Sequence, residues 1–341
     1  MQPRLLLCLF FVFLNWTVKA QNTIGLPEII NYTKHAYNAG TQNWDIKQDG
    51  QGILYFANND GLLVFDGTYW TTYPLPNKTI VRSIEIVKDR IYVGGQDEVG
   101  YFEPDASGKL VFHSLLHLLP QKDRSFADVW SIKQIENDLF FRTSKKILQL
   151  SGNKFSIAYS TDWRFMELSN NQLIAQDHTR GLLRYKKGLW EPLLNSDAYP
   201  KGFLVTGMVP FGGDSSLVTT FRNGTFILTK NALIPFYTPD LNNIANKLIY
   251  KAVPADKDHI LLGTTLEGCF IINKSGTIVQ KFSIGEGLQN NNIVSVLFDR
   301  DKNLWLGLDN GIDFVAYNSP IKHIYTSLQN EGSGYTSILS N

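Results

Sequence analysis

The chain has 341 residues, with 32 Lys and Arg against 31 Asp and Glu, so its formal net charge at neutral pH is +1. This balance, without any run of basic residues, lacks the electrostatic footprint of a nucleic-acid-binding protein. Once the N-terminal segment is removed, Cys269 is the one cysteine left, so no intrachain disulfide is predicted. A chain of this length buries enough surface to fold without one. We expect Cys269 to pack in the core, with a reactive thiol as the alternative.

Residues 1–20 have the three parts of a secretory signal peptide. Arg4 precedes an apolar run over residues 5–14, and Val18-Lys19-Ala20 offers small residues at the cleavage site. The apolar run is short for a membrane span, which favours a cleaved signal over a retained anchor. We therefore predict export from the cytoplasm, with residues 21–40 as a segment that leads into the folded domain.

A short apolar motif recurs about seven times along the chain, at steps of roughly 40–45 residues. The cleanest copy is Asn-Leu-Trp-Leu-Gly at residues 303–307, followed by Asn310-Gly311-Ile312. A repeat of this length made of short apolar strands indicates a β-propeller with four strands per blade. The sequence thus predicts an all-β fold, a seven-bladed β-propeller of four-stranded antiparallel blades over residues 41–325. The aligned positions are Ile53, Ile91, Leu139, Leu173, Leu217, Ile260 and Leu304.

The seventh repeat shows how one blade is predicted to be built. Its inner strand is predicted at residues 293–297, its second at 304–308, its third at 312–315 and its fourth near 321–324. Gly311 supplies the positive φ that the hairpin turn requires. The only segment with a short helical pattern is 112–119.

Residues 326–341 are read as the start of a following repeat that is cut short. Residues 332–339 look like another inner strand, without a turn or second strand after them. Either this segment closes the ring, or the chain is the front part of a longer protein. We favour the second interpretation, in which this propeller is the first of two.

The strand and turn sequences resemble the regulatory-propeller repeats of bacterial hybrid two-component regulators and their one-component relatives. That repeat is typified by a turn, Asn-Leu-Trp-Ile-Gly-Thr and then Gly-Leu, which residues 301–308 and 310–312 match well. Residues 259–264 match the Ile-Gly-Thr end, and residues 39–46 are similar to the opening of such sensors. The resemblance covers essentially the whole mature chain, strongly at both ends and weakly in blades three to five.

The resemblance implies a sensor with two consecutive propellers, a three-tyrosine domain, a membrane span and a cytoplasmic output domain. That output is a histidine kinase or a helix-turn-helix domain. This region is then expected to be the extracytoplasmic ligand-sensing propeller of a transcriptional regulator that responds to glycan-derived oligosaccharides. It is expected to dimerise through the full sensor region, to reach the membrane only through a downstream span, and to make no direct contact with nucleic acid.

Candidate ligand-binding residues follow from the register of the repeats. Entrances to inner strands and the hairpins between second and third strands should meet on one face, where aromatic and cationic groups could stack sugars and hold carboxylates or sulfates. Alternatively, the tryptophans pack in the core and the arginines pair with Asp45, Asp128 or Asp162. Trp70 and Trp190 are expected to pack between blades. The candidates are Trp44, Arg82, Trp130, Arg164, His178, Arg222, Lys251 and Asn292.

Signals for catalysis are poor. No HExxH motif or serine nucleophile elbow is present, and His113 and His117 would share a face only if their segment were helical. We therefore predict no catalytic residue, no metal site and no cofactor, and this region is expected not to be an enzyme. Two alternatives stay open, a secreted propeller enzyme (a polysaccharide lyase or hydrolase) and a protein-binding scaffold.

Overall fold

Seven four-stranded antiparallel sheets are arranged as blades of a propeller in residues 25–323, the part of the chain that the computed structural model describes. This confirms the predicted all-β, seven-bladed fold. The predicted signal peptide at 1–20 and the predicted further repeat at 326–341 lie outside the described residues.

Each blade has an inner, a second, a third and an outer strand, and the strands are numbered in chain order. The inner strands are β2 (Asn43–Gln48), β6 (Val81–Val87), β10 (Ser131–Ile135), β14 (Trp163–Ser169), β18 (Val205–Gly212), β22 (Ile249–Pro254) and β26 (Ile293–Phe298). The second strands are β3 (Leu54–Asn58), β7 (Arg90–Gly95), β11 (Asp138–Arg142), β15 (Gln172–Asp177), β19 (Ser215–Thr220), β23 (His259–Thr264) and β27 (Leu304–Leu308).

The third strands are β4 (Gly61–Phe65), β8 (Val99–Pro104), β12 (Lys146–Ser151), β16 (Gly181–Lys186), β20 (Thr225–Leu228), β24 (Cys269–Asn273) and β28 (Ile312–Val315). The outer strands are β5 (Trp70–Tyr73), β9 (Leu110–Ser114), β13 (Lys154–Tyr159), β17 (Leu189–Pro192), β21 (Leu233–Pro235), β25 (Ile278–Phe282) and, in the seventh blade, β1 (Ile29–Tyr32).

Helices are short and few in the described residues. They are α1 (Lys34–Tyr37), α2 (Pro239–Ala245) and 3-10 turns at Leu116–Leu118, Gln121–Asp123, Ser196–Ala198 and Ile284–Glu286. Within residues 25–323, no helix is long and apolar enough to cross a membrane.

The N-terminal strand β1 closes the ring. It pairs antiparallel with β28, with Ile29 opposite Val315 and Tyr32 opposite Ile312. The prediction of a fourth strand near residues 321–324 is therefore wrong, and part of the predicted lead-in at 21–40 belongs to the seventh blade. The physical reason is that a ring of blades leaves unpaired strand edges unless distant parts of the chain join.

An aromatic group packs where the seventh blade, the first blade and β1 meet. This closing aromatic cluster consists of Tyr32, Phe56, Phe65, Trp70 and Trp305. Trp305 lies 5.9 Å, between ring centres, from each of Tyr32, Phe56 and Phe65. Asn31 of β1 also donates a hydrogen bond of 2.7 Å to the buried carboxylate of Asp313. Side chains as well as strand pairing thus hold the ring closed.

The glycine of the repeat permits neighbouring blades to approach closely. Gly94, Gly263 and Gly307 occupy the same register position, opposite Ser83, Lys251 and Ser295 of their inner strands. A Cβ at Gly94 would lie 2.4 Å from Val129 in the next blade. A Cβ at Gly307 would lie 2.4 Å from the backbone carbonyl oxygen of Asn43, also in the next blade. The glycine is therefore required by packing between blades.

The register corrects the sequence alignment in two blades. Leu304 pairs with Phe298, and the corresponding pairs are Leu54 with Gln48 and Ser216 with Pro210. The predicted Ile53 and Leu217 are each one residue out, because adjacent residues fit the motif equally well.

The predicted helical segment at 112–119 is also wrong. His113 lies in β9 and His117 in a 3-10 turn, so the two do not share a helix face. The start of this segment instead belongs to the outer strand of the second blade, since its backbone pairs with β8. His113 there stacks on Tyr101 with ring centres 5.1 Å apart.

Two packing predictions are confirmed. Cys269 is fully buried in β24, and burial raises the pKa of its thiol. Trp70 of the first blade lies 5.3 Å, between ring centres, from Tyr32 of the seventh blade, and Trp190 of the fourth blade lies 6.3 Å from Phe140 of the third. These side chains are part of the core between strands and blades.

Candidate ligand-binding site

A β-bulge near the start of the inner strand recurs around the ring. In six blades the register skips one residue, so that Trp44, for example, lies between the paired residues Asn43 and Asp45. A bulge re-aims the side chain of the extra residue. The residues so placed are Trp44, Arg82, Arg164, Thr206, Tyr250 and Val294, and Trp130 stands just before β10 in the third blade.

All seven of these residues line one cavity of about 390 Å³ in the central channel. We call it the channel cavity. Its wall is formed by the inner strands, together with Arg142 from β11 and Phe221 from the loop after β19. A concave space of this size, with mixed apolar and charged walls, is typical of small-molecule sites.

Arg82 is held between two indole rings in the channel cavity. Its guanidinium carbon lies 4.0 Å from the ring centre of Trp44 and 4.8 Å from that of Trp130. Arg82 Nη2 is 3.4 Å from Asp128 Oδ2, whereas Nε and Nη1 are buried without a hydrogen-bond partner. Buried donors that are left unpaired cost free energy, so a ligand that accepts from them would be stabilised.

Trp44 is itself oriented by a hairpin of the same face. Its Nε1 donates a 2.8 Å hydrogen bond to Asn59 Oδ1, in the turn between β3 and β4. The expectation that inner-strand entrances meet the hairpins on one face is confirmed at this contact.

Further along the channel, charges alternate in sign from blade to blade. Lys47 Nζ lies 2.9 Å from Glu85 Oε2, and Lys133 forms an ion pair with Glu167. At Lys47, burial opposes the charge, but the Glu85 carboxylate outweighs it and raises the pKa. At Glu167, burial raises the pKa, but Lys133 outweighs it and the net shift is downward. Both shifts favour the charged forms of Lys47 and Glu167, and each of these groups is held in an ion pair.

Apolar residues complete this level of the channel in the other three blades. Val209, Val253 and Leu297 occupy the register position that Lys47, Glu85, Lys133 and Glu167 occupy elsewhere. One side of the channel is thus charged and the other apolar, a polarity suited to a ligand with two unlike faces.

Between the bulge residues and the charged level lie Asp45 and Lys251. Lys251 makes no hydrogen bond or ion pair with any described residue, and burial lowers the pKa of its ammonium group. Asp45 accepts the backbone N–H groups of Ile46 and Ile84. The cavity therefore contains a lysine without a direct partner.

Arg142 occupies the position that holds glycine in the second, sixth and seventh blades. It pairs with Ser131 of β10 as Gly307 pairs with Ser295 of β26. Its Nη1 donates a hydrogen bond of 2.9 Å to the carbonyl of Trp163 in the next blade, and its Nε donates one of 3.2 Å to Ser131 Oγ. Its Nη2 makes no hydrogen bond to a described residue, although Arg142 is only 8% exposed.

Five of the eight predicted site residues line the channel cavity, namely Trp44, Arg82, Trp130, Arg164 and Lys251. The structural alternative is also seen, because Arg82 pairs with Asp128 and Arg164 Nε lies 2.6 Å from Asp162 Oδ2.

His178, Arg222 and Asn292 lie outside the cavity lining. His178 and Arg222 are exposed in hairpins, and the carbonyl of Asn292 accepts the backbone N–H of Asp309. The repeat thus predicted that these residues lie in hairpins or at the start of an inner strand. It did not predict which of their side chains line the channel cavity.

Sequence reasoning did not single out Arg142, Tyr250, Lys133 and Glu167, all of which line the cavity. Arg142 left a signal, since residues 138–142 read Asp-Leu-Phe-Phe-Arg where the clean repeat ends in glycine. A large cation is unexpected at a position that packs against the next blade, so this arginine could have been singled out from the sequence.

Comparison with known proteins places the repeat and the fold. Residues 287–310 match the family model described as Two component regulator propeller. This stretch includes all of β26 and β27, so it contains the clean copy of the repeat. No curated protein matches the chain.

Several solved structures share the fold. The extracellular domains of two hybrid two component systems of B. thetaiotaomicron match 86% and 87% of this chain, with TM-scores of 0.68 and 0.67 and identities of 18% and 17%. The chain spans about 40% of the length of these domains, 40% and 42% respectively.

A virginiamycin B lyase from Staphylococcus aureus matches 84% of this chain and 98% of its own, with 14% identity and a TM-score of 0.66. Similarity at these identities shows a common fold. The chain is therefore a seven-bladed propeller that carries a two-component regulator propeller repeat.

Proposed function

We propose that this chain is the extracytoplasmic, ligand-sensing propeller of a membrane-spanning signal-transduction regulator, and that glycan fragments are its ligands. The observation that carries the proposal is the channel cavity, where Trp44 and Trp130 flank the Arg82 guanidinium and two of its nitrogens have no hydrogen-bond partner. Trp130 is 37% exposed, so part of its indole is available for stacking against a sugar ring. The regulator repeat at 287–310 and the fold shared with extracellular sensor domains support it.

Sensing requires that the ligand binds two arrangements of the protein with different affinity. A rigid propeller meets this requirement at its surface, where two sensor subunits of a homodimer would meet. Ligand bound in the channel mouth would then favour one arrangement of the subunits, and later domains would pass the change across the membrane.

Truncation of Trp130 tests the binding site. We expect Trp130→Ala to weaken the binding of a responsive oligosaccharide by at least about tenfold, because a sugar-stacking surface and one face of the Arg82 contact are lost. Calorimetric titration of the purified chain with a panel of neutral and acidic oligosaccharides measures this.

Arg300→Ala is the matched control, because the Arg300 side chain is exposed in the turn before β27, outside the cavity lining. It should leave the affinity unchanged. Binding that is indifferent to Trp130→Ala, or a panel without any ligand, would remove the channel cavity as the sensing site. The membrane-spanning part of the proposal is tested by the full gene, which should encode a membrane span and an output domain.

The alternative of a secreted propeller enzyme has one observation in its favour, the shared fold with a virginiamycin B lyase. Among the described residues that line the channel cavity, Glu167 is ion-paired with Lys133 and none is a histidine. Turnover of any panel oligosaccharide, seen as new reducing ends, would favour the enzyme over the sensor.

A further inference from the structure

The channel cavity holds more positive than negative charge. The carboxylates in its lining are Asp45 and Glu167, and the cations are Arg82, Lys133, Arg142, Arg164 and Lys251. Asp128 and Asp162 neutralise Arg82 and Arg164 from outside the lining, and Glu167 neutralises Lys133. Arg142 and Lys251 are the two cations of the lining without an ion pair, and Asp45 is the one carboxylate of the lining that forms none.

Arg142 is the least compensated of these cations. Both of its hydrogen-bond acceptors, the Trp163 carbonyl and the Ser131 hydroxyl, are neutral, and burial lowers the pKa of Arg142 to about 10. A buried charge without an opposite partner is unfavourable, so a bound anion would offset part of that cost.

The positive charges of Arg142 and Arg82 both act on Tyr250, which lines the same cavity. Burial raises the pKa of the Tyr250 hydroxyl, and the charges of Arg82 and Arg142 oppose that shift. Tyr250, Arg82 and Arg142 line the same cavity, and each guanidinium has at least one nitrogen without a hydrogen-bond partner among the described residues. Unpaired guanidinium donors suit a planar, singly charged acceptor such as a carboxylate.

We propose that the channel cavity binds an acidic sugar through its carboxylate, with Arg142, Lys251 and Arg82 as the anion-binding groups and Trp130 as the surface for the ring. This inference rests on the proposed sensing function and specifies its ligand class. It assigns Arg142, which replaces the repeat's glycine, a role in recognition.

Digalacturonic acid and its dimethyl ester are the probes, because they differ in charge and little else. Calorimetry of the purified chain should show the acid binding at least about tenfold more tightly than the ester. Acetate, as a free carboxylate without a sugar, should bind much more weakly than the disaccharide acid.

Arg142→Gln is the sharpest variant, because the fourth blade already has Gln176 at this position. Gln176 Nε2 donates a hydrogen bond of 2.7 Å to the carbonyl of Phe203 in the following blade. A glutamine at this register position can therefore bond to the next blade. We expect Arg142→Gln and Lys251→Met each to weaken the acid by about tenfold or more and to leave the ester unchanged. Arg300→Gln, which changes an exposed arginine outside the cavity lining, should alter neither, and unchanged circular dichroism would establish that the variants are folded.

Several outcomes of these titrations would overturn the acidic-sugar assignment. Equal affinity for acid and ester, or an acid affinity that Arg142→Gln leaves intact, overturns the acidic-sugar assignment. Acetate binding as tightly as the disaccharide also overturns it. If neither probe binds while neutral oligosaccharides bind in a Trp130-dependent way, this inference fails and the proposed sensing function stands.

The affinity for digalacturonic acid should also fall as pH rises. Burial lowers the pKa of Lys251 below its ordinary value, so its ammonium loses its proton earlier than an exposed lysine. Burial also lowers the pKa of Arg142, to about 10. The charges that act on Lys251 are Asp45, Glu167, Lys133 and Lys47, and those on Arg142 are Tyr250 and Asp162.

The effect of Lys251 on the stability of the fold has the opposite sign to its effect on ligand affinity as pH rises. Lys251 binds its proton less tightly in the folded chain than in the unfolded chain, so its contribution to stability increases as pH rises from the lowered to the ordinary pKa. Titrations from pH 6 upward should show the decline in affinity for the parent chain, and Lys251→Met should change the pH at which the decline occurs. An identical pH profile for parent and variant would contradict this assignment.

Discussion

Trp305→Ala is expected to lower the free energy of unfolding by about 3–5 kcal/mol, the usual cost of truncating a buried tryptophan or phenylalanine. Trp305 is only 5% exposed, and its ring centre is 4.9 Å from that of Phe314 in its own blade. It also contacts Tyr32 from β1 and Phe56 from the first blade, so one substitution weakens all three elements of the closure.

Urea unfolding followed by tryptophan-independent circular dichroism measures this loss. Tyr69→Ala is the matched control, since Tyr69 is 72% exposed in the turn before β5 and should change stability by no more than about 0.5 kcal/mol. A loss below about 1 kcal/mol for Trp305→Ala would mean that the closing aromatic cluster does not hold the ring together.

Gly307→Ala should destabilise the fold by about 1–3 kcal/mol or more, although it adds a single methyl group. The added Cβ would lie 2.1 Å from Ser295 Oγ and 2.4 Å from the Asn43 carbonyl oxygen. The second contact is with the backbone of the neighbouring blade, which cannot move away without disturbing its own sheet. Gly307 does not have a positive φ, so the cost is steric and not conformational.

Gly50→Ala is the control for this substitution. A Cβ at Gly50 would have nothing within 4 Å, and Gly50 also lacks a positive φ. It should therefore be neutral or stabilise the chain by up to about 1 kcal/mol, since alanine restricts the unfolded state. Equal unfolding midpoints for the two alanine variants would contradict the close approach of the blades.

The blades could be predicted because their signals are local. The inner strand predicted at 293–297 is observed as Ile293–Phe298, and the second and third strands of that blade have the predicted bounds. Alternating apolar residues and glycine or asparagine turns specify such strands within a few residues of the chain. The ring was then implied by the number of repeats.

The closure and the cavity could not be predicted in the same way. β1 and β28 are far apart in the chain, and no local pattern marks Ile29–Tyr32 as the partner of Ile312–Val315. Whether Tyr250 or Lys251 is the bulge residue depends on the register with β23. The position of Arg142 likewise depends on the backbone of the next blade, to which its guanidinium is bonded.

The pairing of β1 with β28 also determines how the propeller responds to mechanical tension. Ile29, at the start of β1, lies opposite Val315, at the end of β28, so the chain enters and leaves the seventh blade on the same side. A force that pulls residues 25 and 323 apart therefore acts first on the two backbone hydrogen bonds between Leu26 and His323. It then opens the hydrogen bonds between β1 and β28 one after another, starting from Ile29 and Val315.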